Sequence, residues 1–327
     1  MSHGHPYDKL TPEVILDAVE CLPVRCTGGL LALNSYENRV YRVDTETRGP
    51  LAVKFYRPGR WDDAQIAEEH TFTRELAEQE IPVVAPLSGP DGATLLRYAG
   101  FRYAVFPWQP GRASELGSGE ERRMLGRFLG RLHRVGASAS FHSRPRLNVE
   151  TFGREPVRYL LEHGFLPDYL AEAYRSLASQ LLERIAGVMD AVAMRSLRLH
   201  GDCHLGNLLW TETGPHIVDF DDSRSGPAVQ DLWMLLSGDR ESMQQQLGDV
   251  LEGYTGFMDF DAAELALIEP LRTLRLMHYS AWLARRWDDP AFPRSFPWFN
   301  TPRYWEEHVL TLREQQASMD EAPLTWG

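Results

Sequence analysis

The chain has 327 residues, 43% hydrophobic and 24% charged, and 34 Lys and Arg against 46 Asp and Glu give a formal net charge of −12. That length allows one large domain or two lobes sharing a cleft, and that acidity argues against a nucleic-acid binder that works by displacing counterions from phosphates. No apolar run approaches the roughly 18–20 residues that span a bilayer, so no membrane partner is expected.

In chain order, Thr11-Pro12-Glu13 reads as a helix start, with a capping hydroxyl, a proline at the first helical position and an acid favoured by the dipole. That helix is expected to end near Leu22-Pro23. Three alternating runs follow, LLALNS, NRVYRVDT and LAVKFYRP, with ETRGP as the turn between the last two; they read as consecutive antiparallel strands. Trp61-Asp62-Asp63 opens a helix through about Glu80, stopped by Ile81-Pro82. TLLRYAG and FRYAVFPW add strand signals, so a sheet of about five strands with one helix packed on it is expected up to residue 106.

From Gly111 the texture is helical. Ser118 and Glu121 form a capping box, and Met124, Leu125, Phe128, Leu129 and Leu132 recur at helical spacing as one buried face. Helical patterns return around 168–193, 227–237, 241–256 and 261–287. The few strands of this half, LRLHG, NLLWT and HIVDF, flank one polar segment. A β-rich half and an α-rich half joined near Phe106–Gly111 would leave a cleft, where ligands bind.

That polar segment, LHGDCHLGNLLW followed by HIVDFDD, carries the chemistry. Phosphoryl transfer from ATP needs a carboxylate on the attacking hydroxyl, a carboxylate and an amide oxygen on magnesium, and a lysine on the phosphates. Asp202 and Asn207 have the D-x4-N spacing of a protein-kinase catalytic loop, Asp219-Phe220 follows a short hairpin, and LAVKFY puts Lys54 on the third strand. Taken singly each has a plain alternative: Asp202 as a turn cap, Lys54 as a snorkelling strand lysine. Asp221 stands where a DFG triplet has glycine and reads as shaping the loop. His204 reads as a hydrogen-bonded loop histidine, and Cys203 as inert. Cys21 and Cys26 lack a second Cys/His pair, so neither a zinc site nor, with three cysteines, a disulfide framework is expected. His3 and His5 read as a solvated terminus more readily than as a metal site. MSHGHPYDKL lacks the apolar core of a signal peptide, and the expected setting is cytoplasmic. The acidity fits steering of cationic substrates or solubility alone.

HGDCHLGN resembles the HGD-x-x-x-x-N loop of the aminoglycoside phosphotransferase and choline kinase superfamily. ALNSYENRVY, VKFYRP-x-RW, GPAVQDLWMLL, IEPLR and AWLARRW-x-DPAFP, spread from residue 32 to about 298, resemble the bacterial stress response kinase A family. The resemblance implies an α+β, two-lobed protein-kinase-like fold of aminoglycoside phosphotransferase type, with a β-rich N-lobe and a mostly helical C-lobe. It divides the chain into a nucleotide-binding lobe, 1–106, and a catalytic and substrate lobe, 107–327. It further implies ATP- and Mg2+-dependent transfer to protein serine or threonine in stress survival. Asp202 becomes the proton acceptor, Asn207 and Asp219 the magnesium ligands, and Lys54 the phosphate lysine. Glu69 becomes that lysine's helix partner, with Glu68 adjacent and not excluded. Ser35 lies in the loop over the phosphates, and Asp231 buttresses the catalytic loop. Asn34-Ser35-Tyr36-Glu37-Asn38 contains no glycine, so bare backbone amides cannot come as close to phosphate; side-chain donors from Ser35 or Asn38 would substitute, and an ordinary hairpin turn describes the same residues. Strand alternation would point Tyr36 away from Ser35.

The cluster Tyr279, Trp282, Trp287, Phe292, Phe296, Trp298 and Phe299, with Arg285 and Arg286, fits an acceptor groove or a packed core with exposed arginines. A small-molecule alcohol kinase of aminoglycoside, choline or homoserine type is the alternative enzyme. A nucleotide-binding scaffold fits less well, because it has no use for Asp202. Without a coiled-coil repeat, a monomer is the default expectation.

Overall fold

A computed structural model describes residues 6–113 and 115–326; His3 and His5 lie outside them. Helix α1, Pro12–Glu20, starts as expected, with the Thr11 side chain accepting the Val14 N–H. Strands β1 (Cys26–Ala32), β2 (Arg39–Thr45), β3 (Gly49–Phe55), β4 (Leu96–Tyr98) and β5 (Phe101–Pro107) form one antiparallel sheet in the order β1-β2-β3-β5-β4. The first strand thus starts upstream of the expected LLALNS and includes its Leu30–Ala32, while the remainder runs out into an irregular loop at 33–38.

Two helices, not one, cover this sheet. Ile15, Ala18 and Val19 of α1 pack with Val53, Phe55 and Tyr103 on one face. Ile66 of α2, Asp63–Glu78, packs with Tyr56 and Ala104 on the other. The alternation of β3 therefore sends Val53 and Phe55 to α1 and Lys54 to α2. Helix α2 opens on a capping box in which Asp62 accepts from Gln65 and Gln65 reaches back.

The helical half is built from α3 (Gly119–Gly136), α4 (Glu155–Glu162), α5 (Asp168–Ala191), the strands β6 (Leu197–Leu199), β7 (Leu208–Thr211), β8 (Gly214–Ile217) and β9 (Arg224–Gly226), then α6 (Val229–Trp233), α7 (Arg240–Tyr254), α8 (Ile268–Ala284), α9 (Ala291–Ser295) and α10 (Pro302–Ser318). Ser118 and Glu121 form the expected capping box. Leu125, Leu129 and Leu132 are fully buried, while Met124 and Phe128 are only half so. Helices α3 and α7 meet main chain to main chain: a Cβ on Gly126 would lie 2.0 Å from the Val250 carbonyl oxygen, and one on Gly253 2.0 Å from that of Arg123.

β6 pairs with β9 and β7 with β8, so the polar segment 200–207 and the segment 218–223 emerge side by side. Arg112 bridges to Trp210, tying the segment after β5 to this unit. The sequence reading passed over β9, α4, α9 and α10. Helix α10 carried a signal: Thr301-Pro302 repeats the Thr-Pro start of α1, and Thr301 caps Tyr304. No helix among the described residues is long and apolar enough to cross a membrane.

Candidate active site

Lys54, 6% exposed, is ringed by acids. Its Nζ lies 3.0 Å from Asp221 Oδ1, 3.1 Å from Asp219 Oδ1 and 3.6 Å from Glu69 Oε1. Burial works against the charge, but the three carboxylates outweigh it and hold the ammonium well above its ordinary pKa. Of the two adjacent glutamates, Glu69 faces the lysine. Glu68 instead accepts the backbone N–H groups of His142, Ser143 and Arg144 at 2.7–2.9 Å, anchoring the loop beyond α3. Helical phase explains the difference: Ile66, Glu69, Phe72 and Leu76 share the buried face of α2.

Burial pushes the Glu69 carboxyl up to about 7, although Lys54 pulls it down. The folded chain therefore keeps a proton that the unfolded chain releases near the ordinary 4.5. The stability this contributes is fully present below that ordinary value and is lost as pH rises through about 7. Glu69→Gln removes the titrating proton. The melting temperature of the variant minus that of the wild type should therefore climb between pH 4.5 and 7 and then level off, read by circular dichroism melts. A constant difference across that window would mean that Glu69 keeps an ordinary carboxylate pKa.

Arg60, just past β3, is the residue that the sequence reading missed here. Its Nη1 lies 2.6 Å from Asp221 Oδ2 and its Nη2 2.8 Å from Asp222 Oδ2. Asp221 is thus buried between Lys54 and Arg60, and Asp222, its side chain 30% exposed, is held between Arg60 and Arg224. Asp219 is different: its side chain is 56% exposed, and its backbone is left-handed at φ +61°. A non-glycine residue in that region is uncommon and tends to mark a functional turn.

The polar segment 200–207 is hung from Asp231. Its fully buried carboxylate accepts the His200 and Gly201 N–H groups, both at 2.8 Å, and faces His133 Nε2 at 3.1 Å. His200 Nε2 donates to the Val218 carbonyl at 2.9 Å, fastening this loop to the residue before Asp219. Gly201 sits at φ +84°, where a Cβ would strike the Asp222 carbonyl oxygen at 2.3 Å. Asn207 Nδ2 donates to the Asp202 carbonyl and the Val218 N–H donates to that of Asn207. Committing Nδ2 leaves Oδ1 as the end of the Asn207 amide available to a cation.

Asp202 Oδ1 accepts from Arg275 Nη1 of α8 at 2.5 Å, and Oδ2 lies 3.5 Å from His204 Nε2. Burial would raise its pKa, but the His204 hydrogen bond and the Arg275 charge lower it to about 2. His204 also accepts the Gly206 N–H, as a loop histidine does. Cys203 is buried, and burial pushes its thiol well above the ordinary pKa, which keeps it protonated and inert. Cys21 and Cys26 are free thiols.

The glycine-free loop is bound to the helical half. Glu37 accepts from Trp282 Nε1 at 2.7 Å and Arg286 Nη2 at 2.9 Å, and Arg57 forks onto Asp289 at 2.7 and 2.9 Å. Ser35 Oγ accepts the Val40 N–H, and Asn38 Oδ1 accepts that of Arg57. Tyr36 does not follow strand alternation: the segment is irregular, and its ring packs 4.8 Å from Phe296. The C-terminal aromatics are mostly core, with Phe292, Phe296 and Phe299 buried; Tyr279 and Trp298 are exposed. Arg286 is tied to Glu37, and Arg285 lies over Tyr159.

Asn207 and Asp219 are hard oxygen donors held close in the chain of hydrogen bonds, one with a largely exposed carboxylate. No cluster of three or more His, Cys, Asp or Glu side chains forms a cage among the described residues. That set fits Mg2+, which keeps waters and takes one or two protein ligands together with substrate phosphates.

Residues 30–268 match the phosphotransferase enzyme family. The chain is 44% identical to stress response kinase A of Escherichia coli (strain K12), over 97% of this chain and 96% of the relative. It is equally similar, over the same shares, to a protein of Salmonella typhimurium named serine/threonine protein kinase RdoA. Among solved structures, amicoumacin kinase hAmiN in complex with AMP-PNP, Ca2+ and Ami is similar with a TM-score of 0.74 at 18% identity, covering 98% of this chain and 96% of that one. A microcompartment-associated aminopropanol kinase has a TM-score of 0.70 at 17% identity, covering 94% and 98%. At these identities the solved structures speak for the fold: a five-stranded N-lobe on a helical C-lobe.

Proposed function

This chain belongs to the phosphotransferase enzyme family, within it to the stress response kinase A proteins, and from that premise we propose that it transfers the γ-phosphate of ATP, with magnesium, to serine and threonine hydroxyls of proteins. That it is a kinase follows from the family; the acceptor and the nucleotide–metal pair are our reading. The observation that carries the reading is the hydrogen-bonded frame joining Asp202, Asn207 and the residue before Asp219, with Lys54 paired to Glu69 and Asp219 beside it.

In this reading residues 1–106 are the nucleotide-binding lobe and 107–327 the catalytic and substrate lobe. Lys54, oriented by Glu69, holds the phosphates. Asn207 and Asp219 would hold Mg2+, which when bound neutralises charge on the phosphates. Asp202, ionised throughout the neutral range, orients the attacking hydroxyl and receives its proton. A protein acceptor is supported by the name of the Salmonella typhimurium relative, serine/threonine protein kinase RdoA. The fold neighbours are named for small alcohols or antibiotics, which keeps an alcohol kinase as the second reading. We take the protein to be a cytoplasmic monomer. Incubation with labelled ATP and Mg2+, alone and with proteins and an alcohol panel, separates the two: label on protein supports our reading, and label confined to a small product overturns it.

Ser35 serves as a test of the phosphate loop. Its Oγ accepts from Val40 N and donates to the Leu33 carbonyl at 3.5 Å, a long bond that the hydroxyl can exchange for one to a phosphate. Ser35→Ala should raise the ATP KM by about tenfold with kcat nearly unchanged, since a hydrogen bond to a charged group contributes roughly 1.5–3 kcal/mol. An unchanged KM would leave Ser35 as the closing residue of the turn. Tyr36→Ala is no neutral control, because it unpacks the loop from Phe296.

A further inference from the structure

Asp202 Oδ1 accepts from Arg275 Nη1 at 2.5 Å, whereas Oδ2 faces the His204 ring at the longer distance of 3.5 Å from Nε2. An acceptor hydroxyl can therefore bond to Oδ2 with Arg275 still on Oδ1, which places a guanidinium beside the acceptor. Arg275 has donors to spare. Its side chain is 38% exposed, and among the described residues Asp202 is its ion-pair and hydrogen-bond partner. A single terminal nitrogen makes that bond, leaving most of a planar, five-donor fork unused.

The surroundings sharpen the point. Tyr279, one turn along α8 from Arg275, is exposed and stacks on Trp282 at 5.7 Å. Trp282 and Arg286 in turn bind Glu37, so one stripe of α8 runs from Asp202 to the phosphate loop. The carboxylates near this stripe are already matched: Glu37 by Trp282 and Arg286, Asp289 by Arg57, and Asp222 by Arg60 and Arg224. With a hydroxyl on Oδ2, Arg275 still presents its unused donors to the groups that flank that hydroxyl. An acceptor bearing a positive charge beside its hydroxyl would meet that guanidinium at close range; one bearing a carboxylate would satisfy it bidentately. The overall charge of −12 suggests the opposite preference, but at contact distance the local cation governs.

We propose that Arg275 is a specificity-determining residue of the acceptor site, holding Asp202 with one nitrogen and receiving a carboxylate next to the acceptor hydroxyl with the others, so that the preferred substrates are serines or threonines flanked by Asp or Glu. This rests on the protein-kinase reading above and names the class of protein segment that the site accepts.

The test compares two serine peptides, flanked by acidic or by lysine residues, with two small alcohols, one bearing a carboxylate and one an amine. Each is assayed at saturating ATP and Mg2+ with wild type, Arg275→Gln and Arg275→Glu. The wild type should favour the acidic peptide by about tenfold or more in kcat/KM, chiefly through KM. Arg275→Gln should level the two peptides, and Arg275→Glu should reverse their order. That reversal is something a merely structural role would not produce, and it needs no variant to match wild-type turnover. Equal use of both peptides by the wild type, or a preference that survives Arg275→Glu, overturns the role of Arg275 and leaves the protein-kinase reading standing. Transfer to the amine-bearing alcohol with neither peptide labelled overturns both. Transfer to the carboxylate-bearing alcohol alone overturns the protein acceptor, and a loss of that transfer in Arg275→Glu through KM would still support Arg275 as the anion receptor.

Discussion

Asp202→Asn is expected to lower turnover by about 10²- to 10⁴-fold, the contribution of a positioned proton acceptor, while nucleotide affinity stays near that of wild type. Asparagine keeps the size of the side chain and leaves the main-chain bonds of the loop intact, because these run through the Asp202 carbonyl, Asn207 and Asp231. What it removes is the anion. Arg275 loses an ionic partner, but at 38% exposure water can cover it, so the fold should lose little. Steady-state kinetics with calorimetric ATP titration and a thermal melt check all three points. Turnover within a few-fold of wild type would remove Asp202 from the chemistry; a large fall in melting temperature would mean that the Arg275 pair is structural.

Asp219→Asn should abolish most of the magnesium-dependent gain in nucleotide affinity and reduce turnover on the order of 10²-fold or more, as loss of several kcal/mol of metal-centred charge stabilisation requires. Asparagine is the right substitution because residue 219 sits at φ +61°, and Asn tolerates the left-handed region far better than Ala does. An alanine there would mix backbone strain with loss of the ligand. Lys54 keeps Asp221 as its counter-charge at 3.0 Å, so the variant should not strand a buried cation. Titrations of ATP with and without Mg2+ give the difference directly. Retention of the full gain would place the metal elsewhere; Asp221 and Asp222 are poor substitutes, since Arg60, Lys54 and Arg224 already hold them.

Those residues were legible in the sequence because their order is local or nearly so. D-x4-N, a hairpin and D-F lie within about twenty positions, and helix caps at Thr11, Asp62 and Ser118 involve neighbours three residues apart. The choice between Glu68 and Glu69 was legible too, had the buried phase of α2 been followed from Ile66 to Leu76. The clamps were not. Arg275 meets Asp202 across 73 positions, Arg60 meets Asp222 across 162, and Arg286 meets Glu37 across 249. A single arginine carries no local mark of the carboxylate that it will find, and only the folded chain brings the two together. Tyr36 shows the converse failure: alternation presumes a strand, and at 33–38 there is none to alternate.

The seam between α3 and α7 has a mechanical consequence. Helices separated by side chains can slide over one another, because rotamers absorb the displacement. Here Gly126, Gly130 and Gly253 bring carbonyls to where a Cβ would stand, so there is no such layer and no room for shear. The same two helices hold His133 between Tyr254 and Asp231, and Asp231 carries the His200–Gly201 turn. The seam and the catalytic turn therefore form one stationary frame. Through the bond from His200 to the Val218 carbonyl, the residue before Asp219 hangs on the same frame, so the spacing of Asp202, Asn207 and Asp219 is set by main chain and not by rotamers.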